Sequence, residues 1–224
     1  NSAGNALLTG SLTYPKSGGP FPAVVLVNGS GQQNRDSEVF GHRPFKVLAD
    51  HLTKNGFAVL RYDDRGVGGS KGEVNLATTI DFASDANAAV DFLSKKTNIN
   101  GEKIGIIGHS EGALIAEIVA SESNKVKYIA LLSGPVIKGD SLLILQSYAL
   151  GKVGGLSETA LDANKANNRK LYNILLEDES PKVLAASLEE ELIHQNNGNP
   201  LTPDMKIKLS PMMSPWFRTF LRID

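Results

Sequence analysis

The chain has 224 residues, 41% hydrophobic and 21% charged, with a net charge of −1, a size that suits one large α/β domain or one domain carrying an insertion. That charge offers no attraction to nucleic acid or an anionic membrane, and no apolar run approaches the roughly 20 residues of a membrane span. The absence of cysteine excludes disulfides and thiolate metal sites while leaving the compartment open.

The first half alternates between two periods. LLTGSLTYP, 7–15, alternates polar and apolar residues and predicts an antiparallel edge strand. AVVLVN, 23–28, is a short β-branched run and predicts a buried strand ending at GSG. Phe45, Leu48, Ala49 and Leu52 mark one face of a helix over 43–55, stopped by Asn55-Gly56. FAVLRY, 57–62, is the next strand, followed by the glycine-rich loop DDRGVGGSKG, 63–72. A helix over about 79–96 presents Phe82, Ala83, Ala86, Val90 and Leu93 inward. KIGIIG, 103–108, predicts a third buried strand that turns through GHSEG into a helix reaching about 122, and VKYIALLSG, 126–134, predicts a fourth. Strands alternating with helices of this length imply parallel pairing with right-handed crossovers.

After Pro135 the pattern changes. Residues 139–209 predict three or four amphipathic helices, broken near Gly154-Gly155, Ser180-Pro181 and 196–200. The expected organisation is an α/β core over 1–136, a helical cap insertion over 137–210, and the start of a return to the core over 211–224. A separate small helical domain is the alternative.

Residues 108–112, GHSEG, place Ser110 between glycines two positions away on each side. Chance supplies roughly 0.2 such GxSxG matches in a chain of this composition, so the pattern alone is weak. Its setting is specific: a buried strand precedes it and a helix follows. The glycines let strand and helix pass closely around a strained serine, and the helix N-terminus offers backbone N–H groups to a developing oxyanion. On that side the donor is the amide of Glu111. The second belongs in NGSGQQNRD, 28–36, with Ser30 the first choice and Gly31 the second. Arg65 and Asp64 are expected to brace the loops beneath Ser110 by ion pairs and hydrogen bonds. Arg35 and Asp36 are expected to form another bracing pair, with contact to substrate as the alternative. GVGGSKG fits neither phosphate-loop nor dinucleotide spacing, so no nucleotide cofactor is expected, and no histidine pair has metal-ligand spacing.

LVNGSGQQNRD, RYDDRGVGGS and GIIGHSEG, in this order and spacing, resemble the HGxG-type loop, the DxRGxGxS loop and the nucleophile elbow of the α/β-hydrolase superfamily, nearest its bacterial esterase, dienelactone-hydrolase and serine-aminopeptidase-like members. The resemblance assigns Asp64, Arg65, Gly66, Gly68 and Ser70 to the second loop. Asn28 stands where many relatives have histidine. Because the oxyanion donors are backbone amides, that departure reshapes the loop more than it abolishes it. The resemblance implies a mostly parallel sheet flanked by helices, a serine nucleophile, and a bacterial protein of cytoplasm or periplasm. It also implies an acid and then a histidine downstream of the serine.

Only His194 follows Ser110, and it sits in a helical stretch that reads as solvated. The expectation is that the chain stops before the last strands, so that acid and histidine lie beyond residue 224 and residue 1, an Asn, follows any removed leader. Strand 126–134 would then be an apolar edge, hidden by a second copy, a segment exchange or a retained C-terminal piece. Three functions remain open. One is an esterase acting on a small ester, with Trp216, Phe217 and Phe220 lining an acyl pocket or packing a core. Another is a peptidase or amidase on a short peptide, with Glu189 to Glu191 binding an amine or facing solvent. The third is a degenerate hydrolase that only binds.

Overall fold

The computed structural model describes residues 2–3 and 6–224; of the core expected over 1–136, residues 1, 4 and 5 lie outside the described residues. The strands are β1 (Ser2–Ala3), β2 (Ala6–Leu7), β3 (Gly10–Thr13), β4 (Phe21–Val27), β5 (Ala58–Tyr62), β6 (Ile99–His109) and β7 (Val126–Leu132). The helices are α1 (Pro44–Lys54), α2 (Thr79–Ser94), α3 (Glu111–Glu122), α4 (Gly139–Val153), α5 (Glu158–Leu176), α6 (Pro181–Gln195), α7 (Pro203–Leu209) and α8 (Pro215–Arg222), with a 3-10 turn at Ser210–Met213. The chain divides into two compact units, 1–135 and 136–224.

In the first unit five strands form one sheet in the order β3-β5-β4-β6-β7. β3 runs antiparallel to β5, and the other pairs are parallel. The period of two sorts the side chains. Val25, Val27, Leu60 and Ile106 pack with Ala86, Val90 and Leu93 of α2 and with Ile115 and Val119 of α3. Val24, Leu26, Val59 and Ile107 pack with Phe45 and Ala49 of α1 on the opposite face. The sheet is therefore covered on both faces, which explains the continuous apolar runs of β4 and β5. Among the described residues β7 is paired only with β6, and Tyr128, Leu131 and Leu132 on it are 36–40% exposed. From β4 the chain moves to β5 on one side and then to β6 on the other, so β4 and β6 flank the switch point, where α/β sheets place ligands beyond their strand C-termini.

The second unit is helical throughout. Ser180, Thr202 and Ser214 each cap a helix through the side-chain oxygen and are followed by proline at the first helical position, which fixes three starts by local chemistry. Ile144, Leu171, Tyr172, Leu175, Leu188 and Leu221 form its core, with Phe217 packed against it. Residues 211–224, expected to begin a return to the sheet, pack here instead: α8 contacts α4 and α5. The reason is its i, i+4 pair Phe217 and Leu221, which joins that core. Arg218 and Arg222 then donate to the Leu175 and Leu176 carbonyls at the end of α5, at 3.2 and 2.9 Å.

Candidate active site

Ser110 lies between β6 and α3 with φ +54° and ψ −121°. A left-handed φ is unfavourable for a residue with a β-carbon and persists only where the surroundings impose it. Here the glycines on either side impose it. A β-carbon on Gly108 would land on the Gly112 carbonyl, and one on Gly112 would land on the Val27 and Asn28 carbonyls. β6, α3 and the end of β4 thus approach through hydrogen-only surfaces. Ser110 N–H donates to the Leu132 carbonyl at 2.9 Å, tying the turn to β7. Ser110 is half-buried, open enough for substrate to reach its hydroxyl.

The loop after β4 runs against this serine. A β-carbon on Gly29 would stand 3.0 Å from Ser110 Cβ and 3.0 Å from the His109 carbonyl oxygen. Gly29 is buried and Ser30 is exposed, and the Ser30 N–H has no acceptor among the described residues. Glu111 begins α3 with its side chain buried, where its carboxylate accepts from Thr79 Oγ1 at 2.7 Å. Its backbone N–H therefore sits at the positive end of the helix beside Ser110.

Asp64 holds the loop after β4 at two points. Its Oδ1 accepts from Asn28 Nδ2 at 3.2 Å and its Oδ2 accepts from the Gln33 N–H at 2.9 Å. Burial pushes its carboxyl up to about 7 against the opposing pull of those two donors, and the carboxylates of Asp85 and Glu111 add to the rise. Arg65 pairs with Asp85 of α2, Nε to Oδ2 at 2.5 Å and Nη2 to Oδ1 at 2.8 Å, with both side chains buried. Arg35 and Asp36 do not pair with each other. Arg35 clamps Asp63 by two parallel bonds of 3.0 and 2.6 Å, and Asp36 pairs with Arg61 of β5.

One assignment needs correction. The first aspartate of the DxRGxGxS pattern is Asp63, one residue before Asp64. Asp63 accepts from Arg35, from the Arg35 N–H at 2.9 Å and from the Gly69 N–H at 3.3 Å. Ser70 Oγ donates to its carbonyl at 2.8 Å. Gly68 has no room for a β-carbon against the Asp63 carboxylate, so Arg35 and the glycine spacing both serve Asp63. The spacing itself carried that signal: two residues separate the motif's Asp from its Gly.

The four histidines, His42, His51, His109 and His194, are exposed, and none hydrogen-bonds Ser110 among the described residues. His194 occupies the last turn of α6 in the second unit. Phe220 is buried and Phe217 packs edge-on to Tyr172 with ring centroids 5.8 Å apart, so these aromatics are core of the second unit. Glu189 pairs with Lys206, and Glu191 with Lys170. No group of three His, Asp or Glu among the described residues is placed to hold a metal ion, and no helix among them is long and apolar enough to cross a membrane.

Residues 23–200 match the family described as serine aminopeptidase, S33. An esterase of Thermotoga maritima is 31% identical over 169 residues, covering 73% of this chain and 40% of the relative. A hydrolase-like protein of Bacillus subtilis is 27% identical over 128 residues, covering 50% of this chain and 43% of the relative. Among solved structures, an esterase of Pyrococcus furiosus superposes with a TM-score of 0.53 at 23% identity, covering 74% of this chain and 57% of that one. The chain thus spans less than two thirds of the length of these relatives, and the last of them establishes likeness of fold.

Proposed function

The chain belongs to the serine aminopeptidase, S33, family of α/β hydrolases, and we propose that it cleaves carboxylic esters through an acyl-enzyme on Ser110. The observation that carries this reading is the left-handed backbone of Ser110, held on the strand–helix turn by Gly108 and Gly112. Such strain in a non-glycine residue has a use where the hydroxyl must stand clear of the backbone as a nucleophile.

In this mechanism Ser110 Oγ attacks the acyl carbon while a histidine removes its proton. The N–H groups of Ser30 and Glu111 hold the tetrahedral oxyanion. Collapse expels the alcohol, which takes the proton from the imidazolium, and water then releases the acid by the same steps. Among the described residues no histidine is placed as that base, and His194 is an exposed helix-end residue of the second unit. The open edge of β7 offers a second copy a place to pair, which light scattering would register.

The test is turnover of p-nitrophenyl esters by the full-length protein and its Ser110→Ala variant. The expected outcome is ester hydrolysis that falls by roughly 10⁶ in kcat on substitution. The name of the family, serine aminopeptidase, favours a second reading, cleavage of an amide. Faster release from aminoacyl p-nitroanilides than from the esters would select it. A fluorophosphonate that leaves Ser110 unlabelled in the full-length protein would replace both with a binding role.

A further inference from the structure

We propose that Asp64 is a positioning residue whose ionised carboxylate sets the oxyanion loop, by accepting from Asn28 at its start and from Gln33 at its end, and that protonating Asp64 slackens the loop and slows turnover. This rests on the hydrolase reading of Ser110 for its consequence, but not for its geometry.

The two bonds, 3.2 Å from Asn28 Nδ2 to Oδ1 and 2.9 Å from the Gln33 N–H to Oδ2, bracket Gly29 and Ser30. Asp64 returns the second contact, donating its own N–H to the Gln33 carbonyl at 3.1 Å. Gln33 closes the loop from within, its Nε2 donating to the Gly29 and Ser30 carbonyls at 3.3 and 3.2 Å. The orientation of the Ser30 peptide therefore depends on Gln33, and the position of Gln33 depends on Asp64. A carboxylate accepts at both oxygens; a carboxylic acid offers one good acceptor and one donor. Asn28 is nine-tenths buried and its Oδ1 has no partner among the described residues. Its amide cannot simply turn over to receive the new proton, because Nδ2 also donates to the Asn34 carbonyl at 3.2 Å. Protonation thus breaks one of the two ties and does not exchange it for another.

The surroundings make this titration relevant near neutrality. The charged and titratable groups facing Asp64 are Asp85 from α2, Glu111 from α3 and, on its own segment, Tyr62 and Arg65, the last engaged by Asp85. Two neighbouring carboxylates and burial all oppose ionisation, which holds the carboxyl at about 7. The loop is therefore fully set above neutral pH and slack below it.

A histidine base titrates in the same range, so a pH–rate profile by itself does not separate the two. The experiment is NMR on the full-length protein from pH 5 to 9, following the Asp64 carboxyl carbon and the Gln33 amide proton. It is paired with kcat and KM for p-nitrophenyl butyrate in Asp64→Asn. The expected result is one shared midpoint near neutrality for both nuclei, loss of the Gln33 transition in Asp64→Asn, and a kcat lowered about tenfold at pH 8 with KM unchanged. A Gln33 amide that stays flat while the Asp64 carboxyl titrates would overturn the clamp, as would an Asp64→Asn enzyme with full kcat. If the variant does not fold, the paired titration in the unmodified protein still decides. Shared titration without ester hydrolysis would retire the ester-cleavage reading of Ser110 and leave the clamp standing.

Discussion

The two units hold themselves together in different ways. In the first, backbones touch backbones. Gly108 meets Gly112, Gly112 meets the end of β4, and polar side chains are buried in pairs such as Arg65 with Asp85. In the second, amphipathic helices with Ser and Thr caps surround one aliphatic and aromatic cluster, and most of its ion pairs are more exposed: Lys152–Glu158 is 62% and 65% exposed, although Asp140 beneath Arg169 is buried. Close-packed backbones and buried charges leave no slack, so the first unit can impose an unfavourable conformation on Ser110. Helices joined mainly by side-chain packing tolerate change, except where Gly139 meets the Phe220 carbonyl with no room for a β-carbon. The second unit should therefore absorb substitutions that the first does not.

The sharpest break of that contrast would come from glycines. Gly112→Ala forces a β-carbon into the Val27 and Asn28 carbonyls, neither of which can rotate away. We expect a loss of at least about 3 kcal/mol, seen as a large drop in urea midpoint or as insolubility. Gly155→Ala, at φ +84° but with open space around it, should cost only about 1 kcal/mol from backbone conformation. Equal losses would remove the distinction.

Buried charge ranks next. Arg65→Met leaves the Asp85 carboxylate buried without its guanidinium, which costs about 3–5 kcal/mol. In the second unit Arg169 pairs with Asp140 from a side chain 41% exposed. Solvent reaches that guanidinium, although Asp140 itself is 7% exposed, so Arg169→Met should cost less than Arg65→Met but more than the loss of a surface pair. Chemical denaturation of both variants measures the difference directly.

The same contrast explains how far the sequence could be read. The order of strands and helices and the turn at Ser110 were legible because they depend on local period and on glycines two residues apart. Gln33 with Asp64, Arg35 with Asp63, and Arg61 with Asp36 were not, since each joins segments 25 to 31 positions apart and no period in the chain encodes it. Arg35 and Asp36 are neighbours in sequence, yet each finds its partner across the sheet. The placement of α8 failed for a related reason. The apolar run at 211–224 announced burial but not against what, and the i, i+4 pair Phe217 and Leu221 docks on α5. No base for Ser110 was legible in the sequence, and none of the four exposed histidines bonds to it among the described residues.

Titration sharpens the comparison at smaller effect. Asp64, at about 7, keeps in the folded state a proton that the unfolded chain releases near 3.8. Its contribution is fully present below about 4 and is lost as pH rises through about 7. Asp140 of the second unit is held below its usual range by Arg169, the chief cause opposing its desolvation. Its contribution is present above about 4 and is lost as pH falls further. Burial raises Asp85 as well, so the informative quantity is the difference between the protein and Asp64→Asn. That difference in melting temperature should be smallest below about pH 4 and grow in the variant's favour up to pH 8. A variant that is the less stable at pH 8 would show that the two hydrogen bonds outweigh the cost of ionising a buried acid. A gain in stability accompanied by slower turnover would identify the ionised carboxylate as kept for positioning.

The smallest expected effect is at the surface of the second unit. Lys152 and Glu158 meet at 3.1 Å across the α4–α5 turn, and Tyr148 Oη donates to the same carboxylate at 2.5 Å. The geometry resembles a bridge between two helices, but both charged side chains are mostly in water. Their Coulomb attraction there is weak, screened by salt, and offset by the entropy of holding two long chains still. The turn has independent supports: the Gly154 N–H donates to the Leu150 carbonyl at 2.8 Å, and Ser157 caps α5. Lys152→Ala should therefore leave the melting midpoint unchanged within error, at low salt and in 1 M NaCl alike. A drop at low salt that vanishes in 1 M NaCl would mean that a surface charge carries part of the helical unit, and that its stability is not confined to the apolar cluster and its caps.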